Sequence, residues 1–488
     1  MAVLLNTTIH DLSPEILSSI FLIATHHFED RFESILLPIT ISHVSSRWRE
    51  VAISTRGLWT SINLTFSIVC LGQHSQYSRS MTWLSRSYPY PIDIYIDFRD
   101  PSWDWDEDSH WQRFHLQHME HMKHIAGLLA THVKRWCHVE LLSDTWFPVY
   151  LFLWHTRHVE AAPLLRSISL SRCNEFLACK GEVFQPDQMK DPIPLFGGIL
   201  LDALRDVSLV GVHVDWTRSS LRNLTSLEFK YHARDVMPSL DQFLDILSGC
   251  LELRHLSIIG WGPRFEKLVT AGNTQEIWDP MTEAPRRTIL LQHLVEFSFG
   301  FVEVDYAVKV LSLFEFHSIR NLKLEDVSFS LNPMEYQDAT PILDWLTPRN
   351  EQSADAPRYS TVIPRTVCGI PLNGILSLQL YGIYASDAAF SHFFSAFPSL
   401  QKLGLFDVAD LTVQTLQPSS DPCIHHPCPN LRELECRNVD RNIALDVSVS
   451  RAMIDSIVSL TSIIIRDSDG SVTIYSADDF IELNDVGA

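Results

Sequence analysis

The chain is short of positive charge. It carries 38 Lys and Arg against 59 Asp and Glu, a formal charge of −21 over 488 residues. Nucleic-acid binding rests on clustered Lys and Arg, so no nucleic-acid partner is expected. No basic amphipathic face offers itself to a lipid surface, and no membrane partner is expected either. Uninterrupted apolar runs of about 18 residues are missing, which excludes an apolar transmembrane helix. The opening MAVLLNTTIHDLSPE lacks a basic stretch leading into a long apolar one, so no signal peptide is expected. Cysteine is sparse and odd in number, nine in all. That usage suits reduced thiols in the cytoplasm or nucleus better than a disulfide framework.

Catalytic signatures are missing as well. There is no G-x-S-x-G, no Walker A and no H-E-x-x-H, and Gly260-Trp261-Gly262 lacks the third glycine of a dinucleotide loop. The expectation is a protein that is not an enzyme and takes no cofactor.

Apolar residues make up 46% of the chain, enough for a true core. The length fits about three ordinary domains, or one small domain and a long repetitive one. Near the start, Ser13 suits an N-cap and Pro14 the first helical position. Ile16, Leu17, Ile20 and Phe21 follow on one apolar face. Pro38 is expected to interrupt. A second helix is expected with Ile41, Val44, Trp48 and Val51 on one stripe. Further on, Ile92, Ile94, Ile96 and Phe98 alternate as in a half-buried strand. DPSWDWDEDSHW reads as an acidic, aromatic loop. Met119, Met122, Ile125 and Leu129 then suggest a helix.

The remainder repeats one triplet: an apolar residue, a second three positions on, and a third two further. It runs Leu165-Ile168-Leu170, Leu204-Val207-Leu209, Leu224-Leu227-Phe229, Leu253-Leu256-Ile258 and Leu294-Phe297-Phe299. It continues Ile319-Leu322-Leu324, Ile375-Leu378-Leu380, Leu400-Leu403-Leu405, Leu431-Leu434-Cys436 and Leu460-Ile463-Ile465. Trp136-Val139-Leu141 reads as an earlier copy. The starts stand 39, 20, 29, 41, 25, 56, 25, 31 and 29 residues apart. Several spacings match or just exceed the roughly 20–29 residues of a leucine-rich unit. Helical stretches are expected before several strands, at SLDQFLDILSGC, DAAFSHFFSAF and SRAMIDSIVS. Each would bury a face that a single unit cannot bury alone. The fold class expected is α/β, a leucine-rich-repeat solenoid of irregular period; an ordinary α/β domain with parallel strands is the competing reading.

Three motifs near the start also stand in a recognisable order. Leu12-Ser13-Pro14-Glu15-Ile16-Leu17 with Ile20-Phe21 resembles the opening of an F-box, in the F-box-like form of mushroom-forming fungi. Ile41-Ser42-His43-Val44 with Arg47-Trp48-Arg49 resembles its second helix, and Ser54 to Ile62 its closing segment. The resemblance implies an N-terminal helical F-box-like module over 1–66. A transition region over 67–160 follows, then the repeats over 161–488, with insertions near 262–290 and 331–370. It further implies the substrate receptor of a cullin-RING ubiquitin ligase, which docks a small ligase adaptor through the F-box and an unknown target protein through the repeats. By resemblance, adaptor contacts fall on Leu12, Pro14, Glu15, Ile16, Leu17, Ile20, Phe21, Val44 and Trp48. Leu12, Pro14 and Ile16 are expected outermost and Trp48 in the core. An interaction scaffold outside any ligase is the alternative, and an enzyme with a site built from distant residues is a further one.

Arg222, Lys230, His232, Arg234, Arg254 and His255 cluster around two neighbouring units. Arg254 and His255 are the expected contacts for an acidic or phosphorylated target. Two histidine-bearing segments hold residue types that ligate metals. Cys423-Ile424-His425-His426-Pro427-Cys428 lacks a distant second pair, and a plain loop is expected. His115, His118, His121 and His124 drift round a helix instead of stacking on one face, so a solvated helix face is expected.

Overall fold

The computed structural model describes residues 9, 12–26, 31–65, 73–99, 119–173, 187–265, 267–270, 273–276, 288–331, 336–347, 370–418, 426–467 and 470–476. It is a mixed α/β structure with mostly parallel strands and thirteen α-helices among the described residues. None of those helices is long and apolar enough to cross a membrane. The chain divides into two compact units, Met1–Asn174 with Phe184–Ser220, and Glu175–Val183 with Leu221–Ala488.

The first unit opens with helices α1 (Pro14–His26), α2 (Arg31–Val44) and α3 (Ser46–Ser54). Pro38 does not interrupt as expected, because α2 runs through it and buries its ring. The break falls at Ser45, whose hydroxyl accepts from the Trp48 N–H at 3.1 Å and caps α3. The stripe expected on one helix, Ile41 to Val51, is therefore divided between two. A short 3₁₀ turn over Arg56–Trp59 follows. There Gly57 passes so near α1 that an added Cβ would stand 2.8 Å from Leu22 Cδ2.

That turn leads straight into strand β1 (Ser61–Thr65). Trp59 anchors the passage. It is fully buried, donates its indole N–H to Ala52 O at 2.8 Å, and meets Trp83 edge-on at 4.8 Å. Helix α4 (Gln73–Ser87) carries Trp83. Strands β2 (Ile92–Phe98), β3 (Trp136–Ser143), β4 (Ser167–Arg172) and β5 (Asp206–Val210) come next. Each pairs in parallel with the one before, in chain order from β1 to β5. Helices Met119–Ala130 and Trp146–Thr156 fill two of the connections. Among its described residues, the stretch 67–160 thus contributes two strands and three α-helices to this unit.

In the second unit the parallel strands are β6 (Ser226–His232), β7 (His255–Gly260), β11 (Glu296–Phe301), β13 (Asn321–Asp326), β14 (Ser377–Tyr381), β15 (Lys402–Phe406), β16 (Glu433–Arg437) and β17 (Ser462–Arg466). Strand β18 (Val472–Ser476) pairs antiparallel with β17. Two small pairs lie apart, β8 (Lys267–Thr270) with β9 (Asn273–Glu276), and β10 (Ile289–Leu291) with β12 (Phe314–Phe316).

All eleven expected triplets form parallel strands, and within each unit these neighbour one another in chain order. The second and third residues of every triplet point into the core, as with Leu322 and Leu324 on β13 or Leu378 and Leu380 on β14. Two more strands carry the same pattern: β1, which went unforeseen, and β2, the half-buried strand expected from Ile92 to Phe98. Trp59-Ile62-Leu64 sets β1 and Pro91-Ile94-Ile96 sets β2, with Trp59 and all four aliphatic residues buried. Ser239 and Gln242 close a capping box on helix Leu240–Ser248, so the helix expected at SLDQFLDILSGC forms. The one expected at SRAMIDSIVS lies earlier in the chain, over Arg441–Ala452, where Asp440 caps it.

Candidate docking surface

Helix α1 has two apolar sides. Leu17, Phe21 and Thr25, at i, i+4 and i+8, are buried, with Leu17 at 0% and Phe21 at 2% exposure. The Phe21 ring meets Trp48 at 4.9 Å. Ile16, Ile20 and Ile23, at i, i+4 and i+7, form a second stripe, exposed by 51%, 42% and 59%. A helix that serves only its own core has one such stripe.

The nine residues expected to touch an adaptor therefore separate. Pro14, Glu15, Ile16, Ile20 and Val44 are exposed, and Leu12 and Trp48 are half-buried. Leu17 and Phe21 belong to the module's interior and are not available to a partner. Trp48 is not the central core tryptophan; Trp59 holds that place. Ile23 and, on α2, Leu36 were missed, although Ile23 continues the spacing of Ile16 and Ile20 by one more turn.

Local chemistry fixes the start of the stripe. The Leu12 carbonyl accepts from the Arg47 guanidinium. The Ser13 hydroxyl beside Glu15, then the Glu15 backbone N–H, hold its carboxyl below the usual range. Thr55 donates to Ser18 Oγ at 2.9 Å, tying α3 back to α1.

On the second unit, Arg254 and His255 are exposed, as a target contact requires. Yet His255 Nδ1 stands 3.1 Å from Glu296 Oε2, and Lys230 pairs with Glu228 at 3.0 Å. His232 is wholly buried beside Phe229. Arg234 lies over the Trp261 ring at 5.0 Å. The expected basic spot is thus a surface of both signs, and His232 is not part of it.

A different row stands out on β13 to β17. Strand register places Glu325, Tyr381, Phe406, Arg437 and Arg466 side by side. The Tyr381 and Phe406 rings stack at 4.3 Å and 15°, and Lys323 lies over Tyr381 at 4.2 Å. Phe406 lies across Gly404, where a Cβ would meet its Cε2 at 2.5 Å, so only glycine admits that pose. Burial, then the Glu435 charge, push the Tyr381 hydroxyl up. Arg437 pairs with Asp407, Arg466 with Glu435, and Lys323 with Glu325. The row thus sets a half-buried Tyr381 against a buried Phe406, flanked by salt bridges.

Of the two histidine-bearing segments, Cys423, His425, His115 and His118 lie outside the described residues, as does the loop at DPSWDWDEDSHW. Cys428 is wholly buried, donates to Phe394 O at 3.3 Å, and is pushed up to about 12 by burial. Its sulfur serves the core.

Compared with models of known protein families, and with curated proteins, the chain matches none.

Proposed function

We propose that the chain is the substrate receptor of a cullin-RING ubiquitin ligase, an F-box-like module followed by leucine-rich repeats. Its N-terminal helices dock the ligase adaptor. The exposed side of its strands holds a target protein in the cytoplasm or nucleus. It makes and breaks no bonds itself; it raises the local concentration of the target near a charged ubiquitin carrier.

One observation carries the reading: the exposed stripe Ile16-Ile20-Ile23 lies in the segment that resembles an F-box. Each of the three leaves about half of its surface in water. Covering all three is worth about 3 kcal/mol, enough to anchor a helix-in-groove contact. The parallel strands with their apolar triplets support the repeat part of the proposal.

The test is co-purification of the full chain with the adaptor, beside the Ile16→Asp/Ile20→Asp variant. Capture by the wild type and loss in the variant, with circular dichroism unchanged, is the expected result. Equal capture by both removes the docking stripe, and capture of the adaptor by neither leaves the scaffold reading.

A further inference from the structure

Cys137 breaks the alternation of β3. Val139 points into the core and His138 is exposed, so strict alternation would turn Cys137 inward and Trp136 outward. Instead Trp136 is buried and Cys137 half-exposed. The ladder explains this: Ile92 pairs with Trp136, yet its neighbour Asp93 pairs with His138, leaving Cys137 as the additional residue of a bulge. Bulges of this kind re-aim a side chain. Here the thiol comes to the side of the sheet where His138 and its direct partner Asp93 already stand. One sulfur, one imidazole nitrogen and one carboxylate oxygen all lie within 4.8 Å of one another.

We propose that Asp93, Cys137 and His138 form a binding site for a borderline-soft divalent cation of the zinc class. The donor set selects the ion. Magnesium and calcium take oxygen ligands, whereas zinc accepts sulfur, nitrogen and oxygen together. Zinc holds sulfur at about 2.3 Å and nitrogen or oxygen at about 2.0–2.2 Å. Its ligands then stand roughly 3.3–3.7 Å apart in a tetrahedral shell, so a side-chain adjustment of about 1 Å closes the trio. The backbones are already held: the Asp93 N–H donates to Thr60 O at 3.0 Å, and Cys137 O accepts from the Arg166 N–H at 2.8 Å. Three protein ligands leave the fourth position to water, which makes the site open and exchangeable. This inference does not rest on the ligase reading.

The test is titration of the full chain with Co²⁺, a visible stand-in for Zn²⁺. The wild type should show tetrahedral ligand-field bands and a thiolate-to-cobalt charge-transfer band. Cys137→Ser should lose the charge-transfer band. Asp93→Asn and His138→Ala should bind at least about tenfold more weakly, the loss that even a supporting group produces. Cys423→Ser should leave both bands intact. All three ligand positions lie at the sheet surface, and circular dichroism verifies each variant. A charge-transfer band that survives Cys137→Ser overturns the proposal, as does unweakened binding in both Asp93→Asn and His138→Ala.

Discussion

Helices α1 and Leu240–Ser248 start alike and end differently. Both follow a serine, and both carry a strong apolar face. In Leu240–Ser248 the large apolar residues Phe243, Leu244, Ile246 and Leu247 are buried, and Asp241, Asp245 and Ser248 meet water. In α1 the core takes Leu17 and Phe21, while Ile16, Ile20 and Ile23 remain outside. Helix Leu240–Ser248 is complete within its own unit. Helix α1 holds more apolar surface than its unit can cover. Burial of that surplus is the free energy available for association.

The comparison can be broken most severely at the core. Trp59→Ala in the first unit and Phe243→Ala in the second should each cost ~3–5 kcal/mol in urea unfolding. Both side chains are fully buried, so a cost under ~1 kcal/mol for either would mean that its unit is not held as described.

Next come two buried arginines, Arg135 of the first unit and Arg451 of the second. Arg135 donates to Tyr90 O, Leu84 O and Ser87 Oγ. Arg451 donates to Leu416 O, Pro427 O and Cys428 O, and burial lowers its pKa. Replacing either by leucine strands buried carbonyls and should cost ~2–3 kcal/mol. Arg451 is the more deeply buried, so its loss should be the greater; the reverse order would show that burial depth does not decide the cost.

Smaller in stability, though larger in binding, is Ile20→Asp. It should shift unfolding by no more than ~0.5 kcal/mol, as an exposed substitution does. Adaptor capture should fall at least about tenfold, which corresponds to ~1.4 kcal/mol. Unfolding of this variant would place Ile20 in the core and erase the contrast with Leu240–Ser248.

The smallest effect concerns pH, and the two units should respond with opposite sign. Glu15 is held below its ordinary value, so its contribution is present above pH ~4.3 and fades as pH falls through the lower folded value. Asp326 is pushed up, first by burial, so its contribution is present below pH ~3.9 and fades as pH rises through the higher folded value. Glu15→Gln and Asp326→Asn should therefore alter the acid limb of stability in opposite directions. A shift of the same sign in both would contradict one of the two environments.

The strands were legible because each triplet carries its own signal in six consecutive residues. Strand β2 was legible from its alternation, but β1 was not, since Trp59 and Ile62 fall in the segment that resembles the close of an F-box. The α2–α3 boundary was misplaced because Pro38 has the stronger local preference against helix, yet burial of its ring and the Ser45 cap decided the outcome. Of the docking residues, spacing alone identified the apolar set but not which stripe faces inward. The row from Glu325 to Arg466 was hidden for another reason. Its members come from five separate strands, and only register aligns them. Cys137 was hidden by a bulge, which no alternation pattern announces.

Trp59 has a consequence for how this chain can be divided. It closes the helical module through Ala52, packs on Trp83 of α4, and stands two residues before β1. β1 in turn is bonded along its length to β2. A cut near residue 66, where the sequence suggests a seam, would leave β1 without its parallel neighbour and Trp59 without one wall. The helices are therefore no detachable plug. A graft meant to carry them to another protein should extend through β2, to about residue 99, and a shorter fragment should come out of expression unfolded.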